Sequence, residues 1–462
     1  VEIPEQDILE KGRVGPGGMI GVDLEAGRFY RDRELKDILA QRRPYGEWVK
    51  KITVLESVAK VRQKTTAMFG PEELSRRQHC YGFSMEDLEL ILHPMAESAI
   101  EATGSMGDDA PLAVLSDRYR GLHHFFRQTF SQVTNPPIDS LRETGVMSLK
   151  TRLGNLGNIL DEDESQCELY QLPSPVLSNA AFEALKNTLG DTAAEIDCTF
   201  DPEGGPGALG QALARIRREA EEAVRGGKQH LILSDVDIGP GRTPIPMILA
   251  AGGVHTHLVQ QELRTFTSLN VRSGECLDVH YFAVLIGVGA TTVNAYLAEA
   301  TLVDRHRRGL FGKMKVEACL DNYIRAIDKG LLKIMSKMGI SIVSSYRGGY
   351  CFEAVGLSRA LVAEFFPGMS SRISGIGLTG IKAKAEAMHA KAFLEDPVPL
   401  ALPVGGFYKY RASGERHGHD GRLIHILQSA VGQESYSIYK KFSAGVRALP
   451  PVFLRDLLDY KR

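Results

Sequence analysis

Residues 209–235 read LGQALARIRREAEEAVRGGKQHLILSD. Leu209, Leu213, Ile216, Ala220 and Val224 recur at intervals of three and four, which lines them along one face of a helix. Gly226 and Gly227 then stop it, because glycine supplies the left-handed backbone that a helix end needs. The run from His230 to Asp235 is short, apolar and polar only at its close, as expected of a buried strand. The same unit recurs downstream. Residues 247–263 read as a helix, and 281–286 as a second strand that runs through 287–292 into another helix. Residues 323–338 read as an amphipathic helix, and 340–345 as a third strand followed by Gly348 and Gly349. Short strands alternating with helices predict a parallel sheet with right-handed crossovers. The expected fold class is therefore α/β, an incomplete or modified parallel barrel whose strand-end polar residues line one rim.

Working outward, residues 1–51 are dense in turn signals and short strands. A Gly-Pro-Gly-Gly turn ends at Gly18, an apolar run covers 19–24, and 25–28 reads as a hairpin turn. Asp32 reads as the N-cap of a helix closed by Pro44. This piece is too short for a domain and reads as the end of one, and 52–79 reads as a helical connector. The main unit is expected over 80–405. It opens with Ser84 and Asp87 in capping-box spacing, a loop over 104–109, a strand over 111–115 and an aromatic helix over 123–133. Residues 406–462 read as a helical start of a further domain. The chain opens at Val1, which fits a segment cut from inside a longer polypeptide.

Composition narrows the functional classes. Lys plus Arg number 55 against 57 Asp plus Glu, so the basic excess of a dedicated nucleic-acid binder is missing. No stretch approaches the roughly 18 uncharged apolar residues of a membrane span; the best, 281–300, holds Glu299. The six cysteines are too far apart for a CxxC knuckle or a compact disulfide framework, which predicts reduced, mostly buried thiols in a cytoplasmic protein.

Several motifs invite chemistry. Gly375-Ile-Gly377-Leu-Thr-Gly380 has GxGxxG spacing, but 368–374 before it reads as a turn rather than the strand a dinucleotide site requires. It is expected to be a tight loop leading into a helix. Gly287-Val-Gly289-Ala-Thr291-Thr292 has the better expected context, strand before and helix after, so Gly287, Gly289 and Thr291 form a candidate anion-binding loop. His255 with His257, and His417 with His419, lack the third and fourth ligands of a zinc site. Asp235 and Asp237 could do acid–base work, although a turn-capping role suits a strand end better. His280 reads as a structural histidine, and Arg305 to Arg308 as an exposed helix end. No catalytic constellation and no metal site emerges from the residues alone.

Longer strings carry a resemblance. Residues 11–17 (KGRVGPG), 44–48 (PYGEW), 104–109 (GSMGDD), 132–139 (QVTNPPID), 333–339 (KIMSKMG) and 344–348 (SSYRG) make the chain resemble the large subunit of glutamate synthase. The resemblance places the end of a glutamine amidotransferase domain at 1–51, the central domain at 80–405, and the lead-in to an FMN-binding synthase domain at 406–462. It implies an enzyme that hydrolyses glutamine at an N-terminal cysteine and passes ammonia through an internal tunnel. Beyond the tunnel the ammonia meets 2-oxoglutarate at FMN, which reduces the resulting imine to glutamate, with electrons arriving through a 3Fe–4S cluster.

The resemblance also implies that this segment binds no cofactor itself, because an N-terminal nucleophile and clustered cysteines belong to the flanking domains. Its implied role is a scaffold that joins the two sites and helps form the tunnel, with Thr134, Asn135 and Ile138 near the wall. The implied partners are the flanking domains, a small FAD- and NADPH-carrying subunit or ferredoxin, and further copies of the chain; the location is cytoplasmic, or plastid for a plant-type ferredoxin enzyme. The competing reading is an independent flavin- or phosphate-binding barrel enzyme that uses the loops at 287–292 and 375–380.

Overall fold

The computed structural model describes residues 3–59, 61, 67–102, 104, 107–119, 121–131, 138–139, 141–393 and 400–458. Its centre is a five-stranded sheet of β1 (Val176–Leu177), β2 (Ala193–Asp197), β3 (His230–Ser234), β4 (Ser268–Arg272) and β5 (Thr292–Asn294). All neighbouring pairs are parallel, in the order β1-β5-β4-β3-β2. The two edge strands, β1 and β2, are consecutive in sequence. The order is that of an α/β barrel open at one seam, the incomplete parallel barrel that the alternating pattern predicts.

The helices that matter here are α1 (Pro71–Cys80), α2 (Asn179–Leu189), α3 (Ala208–Arg225), α4 (Met247–Gln260), α5 (Val279–Gly287), α6 (Tyr296–Arg307) and α7 (Val316–Lys337). Helix α3 buries Leu209, Leu213, Ile216, Ala220 and Val224, and Gly227 beyond it sits at φ +89°. Helices α2 and α5 start on side-chain caps, Ser178 accepting from the Ala181 N–H and Asp278 from that of Tyr281. Ser84 and Asp87 form the expected reciprocal cap; the turns that follow, Asp87–Leu92, are wound as a π-helix.

The faces of the sheet differ. Leu231, Leu233, Leu269, Val271 and Val293 join the main core with the apolar residues of α3, α4 and α5, each side chain contributing about 1.5–3 kcal/mol on burial. The opposite face carries His230, Ile232, Ser268, Asn270, Thr292 and Asn294, side by side in register. Helix α2 lies on this inner face: Phe182 and Leu185 pack with Ile232, and Asn294 donates to Asn179 at 2.9 Å. Most of the polar groups satisfy one another, Thr292 donating to Asn270 at 2.7 Å and Asn270 to Ser268 at 3.0 Å, while the Asn294 Oδ1 has no partner among the described residues. A closed barrel fills its interior with stacked apolar layers; here hydrogen-bonded polar side chains and a helix do so.

Several expected elements differ. Residues 281–286, expected as a strand, lie in helix α5, because a run buried on every side has no periodicity to separate helix from strand. The strand that belongs there is β4, whose alternating Ser-Leu-Asn-Val-Arg is polar on its inward face. Residues 340–345 hold only a bridge from Ile342 to Ser148 and the start of the short helix Val343–Tyr346. Residues 111–115 make a turn in which Leu112 accepts from both Leu115 and Ser116.

The aromatic segment expected as a helix over 123–133 is a 3-10 turn, Leu122–Phe125, followed by the strand Phe126–Gln128. That strand pairs with Phe352–Leu357, which pairs in turn with Ser370–Ile376. Residues 368–374, read as turn-like, are therefore mostly strand; their exposed, serine-rich face hid it. At the two ends of the chain are a hairpin of Gly21–Asp23 with Arg28–Tyr30, the helix Asp32–Gln41, and the helices Gly421–Gly432 and Tyr436–Arg447.

Candidate functional site

Parallel sheets build their sites past the carboxyl ends of the strands. Here those ends are closed by the chain itself. Asp235, just beyond β3, is fully buried and accepts from the Gly274 N–H at 2.9 Å and the Ser273 hydroxyl at 3.0 Å, both just beyond β4. Tyr81, at the end of α1, donates to the Asp235 carbonyl at 2.9 Å and stands 3.2 Å from the Tyr296 hydroxyl. Gly274 makes room for this: a Cβ there would overlap the Tyr81 ring and sit 2.7 Å from the Tyr296 oxygen. Arg77 and Gln78 pin the same helix to Val236 and Thr301 at 2.8 Å each. Asp235 thus takes the capping role, while Asp237, two residues on, is exposed.

Three carboxyl groups around this rim have raised pKa values because burial disfavours the charged form. Asp235 is pushed up to about 6, and Glu275 and Glu299 to about 7. Hydrogen bonds only partly offset the burial: Glu275 accepts from the Met247 N–H at 3.0 Å and from the Tyr281 hydroxyl, and Glu299 from the Asn179 N–H at 2.7 Å.

A carboxyl whose pKa rises on folding contributes stability that is complete below its unfolded value and is lost as pH climbs through the folded one. For Glu275 that window runs from the ordinary 4.5 to about 7. Wild type should therefore lose on the order of 3 kcal/mol relative to Glu275→Gln between pH 5 and pH 8. Chemical denaturation of both proteins at the two pH values measures this double difference, and a value near zero would mean that the carboxyl ionises in place without penalty.

Beside the rim, a cavity of about 410 Å³ is lined by Asp108, Arg118, His124, Arg127 and Asp278, with Tyr119 among its walls. It shares His124 and Asp278 with a gap of about 30 Å³ that reaches Glu275 and Tyr81. A second gap of about 20 Å³ continues past Glu275 to Cys80 and Met388.

The other sequence candidates are placed as follows. Gly287, Gly289 and Thr291 lie at the opposite, amino end of the sheet. The loop follows a helix and precedes a strand, the reverse of the expected order, and its amides at 288–291 donate to carbonyls of Val284, Ile286, Leu285 and Leu269. They are not free to cradle an anion.

His255 and His257, two apart on α4, diverge as helical geometry requires. His257 pairs with Glu221 at 2.7 Å, and His255 accepts from Arg264 at 2.9 Å. His417 is held by Asp109 and the Gly406 carbonyl, with His419 donating its backbone N–H to the same Asp109. His280 stands 3.0 Å from the His123 carbonyl, a structural contact. Arg305, expected at an exposed helix end, is buried.

Thr134 and Asn135 lie outside the described residues; Ile138 is half-buried against the main core. Among the described residues no three His, Cys, Asp or Glu are grouped to hold a metal, and no helix is long and apolar enough to cross a membrane. Cys80, Cys198, Cys276 and Cys319 are buried, and burial raises all four thiols, so they do not fit a cluster site. Glu275 escaped the sequence reading because the strand before it, β4, was not recognised; a polar triplet after an alternating strand was the available signal.

Comparison with known proteins gives a consistent likeness. The family model described as glutamate synthase central domain matches residues 76–358, and that of class-II glutamine amidotransferases matches 1–48. The whole chain is 63% identical to part of the glutamate synthase [NADPH] large chain of Azospirillum brasilense, covering 30% of that protein. Over 99% of its length it is 39% identical to the chloroplastic ferredoxin-dependent glutamate synthase of Spinacia oleracea, covering 29% of it. The chain thus spans about 30% of the length of these curated relatives. Among solved structures, a flavocytochrome b2 mutant aligns with 72% of this chain and 94% of its own, at 10% identity and a TM-score of 0.33.

Proposed function

The chain belongs to the glutamate synthase central-domain family, and from that premise we propose that it serves as a non-catalytic spacer between a glutaminase site and an FMN synthase site, helping to wall the ammonia passage between them. The observation that carries this reading is the closed rim. Tyr81, Tyr296, Asp235 and Gly274 occupy the strand ends with one another, and the inner face of the barrel is filled by α2. Both features suit a part whose task is to hold distance and direction. The two glycine loops that motivate an independent flavin- or phosphate-binding enzyme give that alternative no support: one spends its amides internally, and the other packs against a neighbouring strand.

In this proposal glutamine hydrolysis, FMN and the 3Fe–4S cluster belong to flanking parts of a longer enzyme that assembles as a homo-oligomer. The electron donor is an FAD- and NADPH-carrying subunit or ferredoxin, and the enzyme works in the cytoplasm, or in the plastid if it is of the plant type. Thr134, Asn135 and Ile138 are proposed to line the passage, and the cavities leading from His124 to Glu275 are proposed as a second candidate stretch of wall.

The test is made in the complete enzyme. Ile138→Trp and Thr134→Trp should lower glutamine-dependent glutamate synthesis by about tenfold or more, a loss of at least about 1.4 kcal/mol in coupling. Glutaminase turnover should persist and ammonia should escape to the medium. Synthesis that stays coupled in both variants would sink the tunnel assignment.

A further inference from the structure

At the amino end of the sheet, opposite the closed rim, a cavity of about 250 Å³ is bordered by Arg152, Arg264, Arg347 and His255, and among the described residues no carboxylate lines it. Arg264 is explained by the fold: it donates to His255 at 2.9 Å, the Thr267 carbonyl at 2.7 Å and the Gly289 carbonyl at 2.8 Å, bracing the carboxyl end of α5. Arg347 is not explained in this way, since among the described residues its guanidinium makes one hydrogen bond, a 3.3 Å contact to the Thr291 hydroxyl. Arg152 makes no side-chain hydrogen bond or ion pair among the described residues.

Positive charges gathered without a counter-ion repel one another. Burial and the neighbouring Arg347 pull Arg264 down to about 9, and burial together with both arginines drives His255 down to about 3. His255 is therefore neutral, locked against Gly289 and Gly348, and no carboxylate among the described residues lines the cavity to balance the guanidiniums. Leu153, Leu156 and Leu169 form an apolar part of the wall, and Thr265, Thr267, Ser268 and Ser344 add hydroxyl-bearing residues.

We propose that this cavity binds a small organic oxyanion, its carboxylate or phosphate head between Arg347 and Arg264 and its aliphatic part against the three leucines. Guanidinium forks match both heads in geometry, and the volume falls below the range of drug-sized pockets, which limits the ligand to a small metabolite. The loop at 287–291 contributes by holding the arginines in place, not by offering amides. The site is independent of the spacer and tunnel reading, because it lies at the other end of the strands.

The test is calorimetric titration at low ionic strength, with inorganic phosphate and with succinate as probes, on the longest polypeptide that carries these residues. At least one probe should saturate a single site. Arg347→Gln should weaken it about tenfold or more, and Arg152→Gln about threefold or more. Arg372→Gln, on an exposed strand, should leave it unchanged. Ser344→Asp, in the lining of this cavity, supplies a tethered counter-ion and should abolish titratable binding while raising Tm. The proposal is overturned if neither probe saturates, if Arg347→Gln binds as wild type does, or if Ser344→Asp lowers Tm.

Discussion

Gly375→Ala should destabilise the protein by about 3 kcal/mol, lowering Tm by roughly 3 °C. Gly375 belongs to the strand Ser370–Ile376, and a methyl group there would fall on the backbone carbonyl of Gly356 in the neighbouring strand. Backbone cannot step aside as a side chain can, and Gly356 itself sits at φ +85° with Val114 against it. The same substitution at Gly377 meets only Ser358, at 3.5 Å, and should cost less than about 1 kcal/mol. A phosphate-binding loop would show the reverse economy, with stability little changed and ligand binding lost at both positions. Thermal unfolding of the two variants separates the cases, and equal Tm values would refute the packing account.

The second large effect is expected at Asp235. Asp235→Ala removes the acceptor of the Gly274 amide and the Ser273 hydroxyl and leaves both buried. At about 1–3 kcal/mol for each stranded donor, the loss should be about 4 kcal/mol. Asp235→Asn keeps an oxygen for those donors and should recover most of it. Asp237→Ala, exposed and two residues away, should stay within about 0.5 kcal/mol of wild type. Equilibrium denaturation gives all three values. If Asp235→Ala proves as mild as Asp237→Ala, the rim is not held by this carboxyl, and the spacer reading loses its main support.

The parts of the fold that were legible in sequence are those where one physical signal dominates. Helix α3 shows a regular apolar stripe against an arginine- and glutamate-rich face and ends in two glycines, and β3 follows it as a short apolar run. Helix α5 is not legible as a helix because Tyr281-Phe-Ala-Val-Leu-Ile is buried on all sides, and uniform burial erases the period that distinguishes helix from strand. Strand β4 was missed for the converse reason: its inner face is polar, satisfied by His230, Thr292 and Asn270 rather than by apolar neighbours.

Of the candidate sites, the capping role of Asp235 was open to reading, because a carboxylate at a strand end has few other tasks. Its partners at Ser273 and Gly274 were not, since only the pairing of β3 with β4 brings them together. The arginine cluster at 152, 264 and 347 is of the same kind. Its members are remote in sequence, and each alone looks like an ordinary surface arginine.

The open seam between β1 and β2 bears on how the chain acquires its shape during synthesis. Strands β2, β3 and β4 each pair with the strand that follows, so this part of the sheet can grow as the chain lengthens. Strand β1 leaves the ribosome first, yet its one partner is β5, with Val176 beside Val293. The apolar face of α2, which covers the interior of the barrel, has to wait with it. Closing so long a loop is entropically slow relative to neighbour-by-neighbour pairing. The first strand of this sheet to be made is therefore the last to be placed, and until then Phe182 and Leu185 are the surface on which a chaperone or a misfolded contact would act.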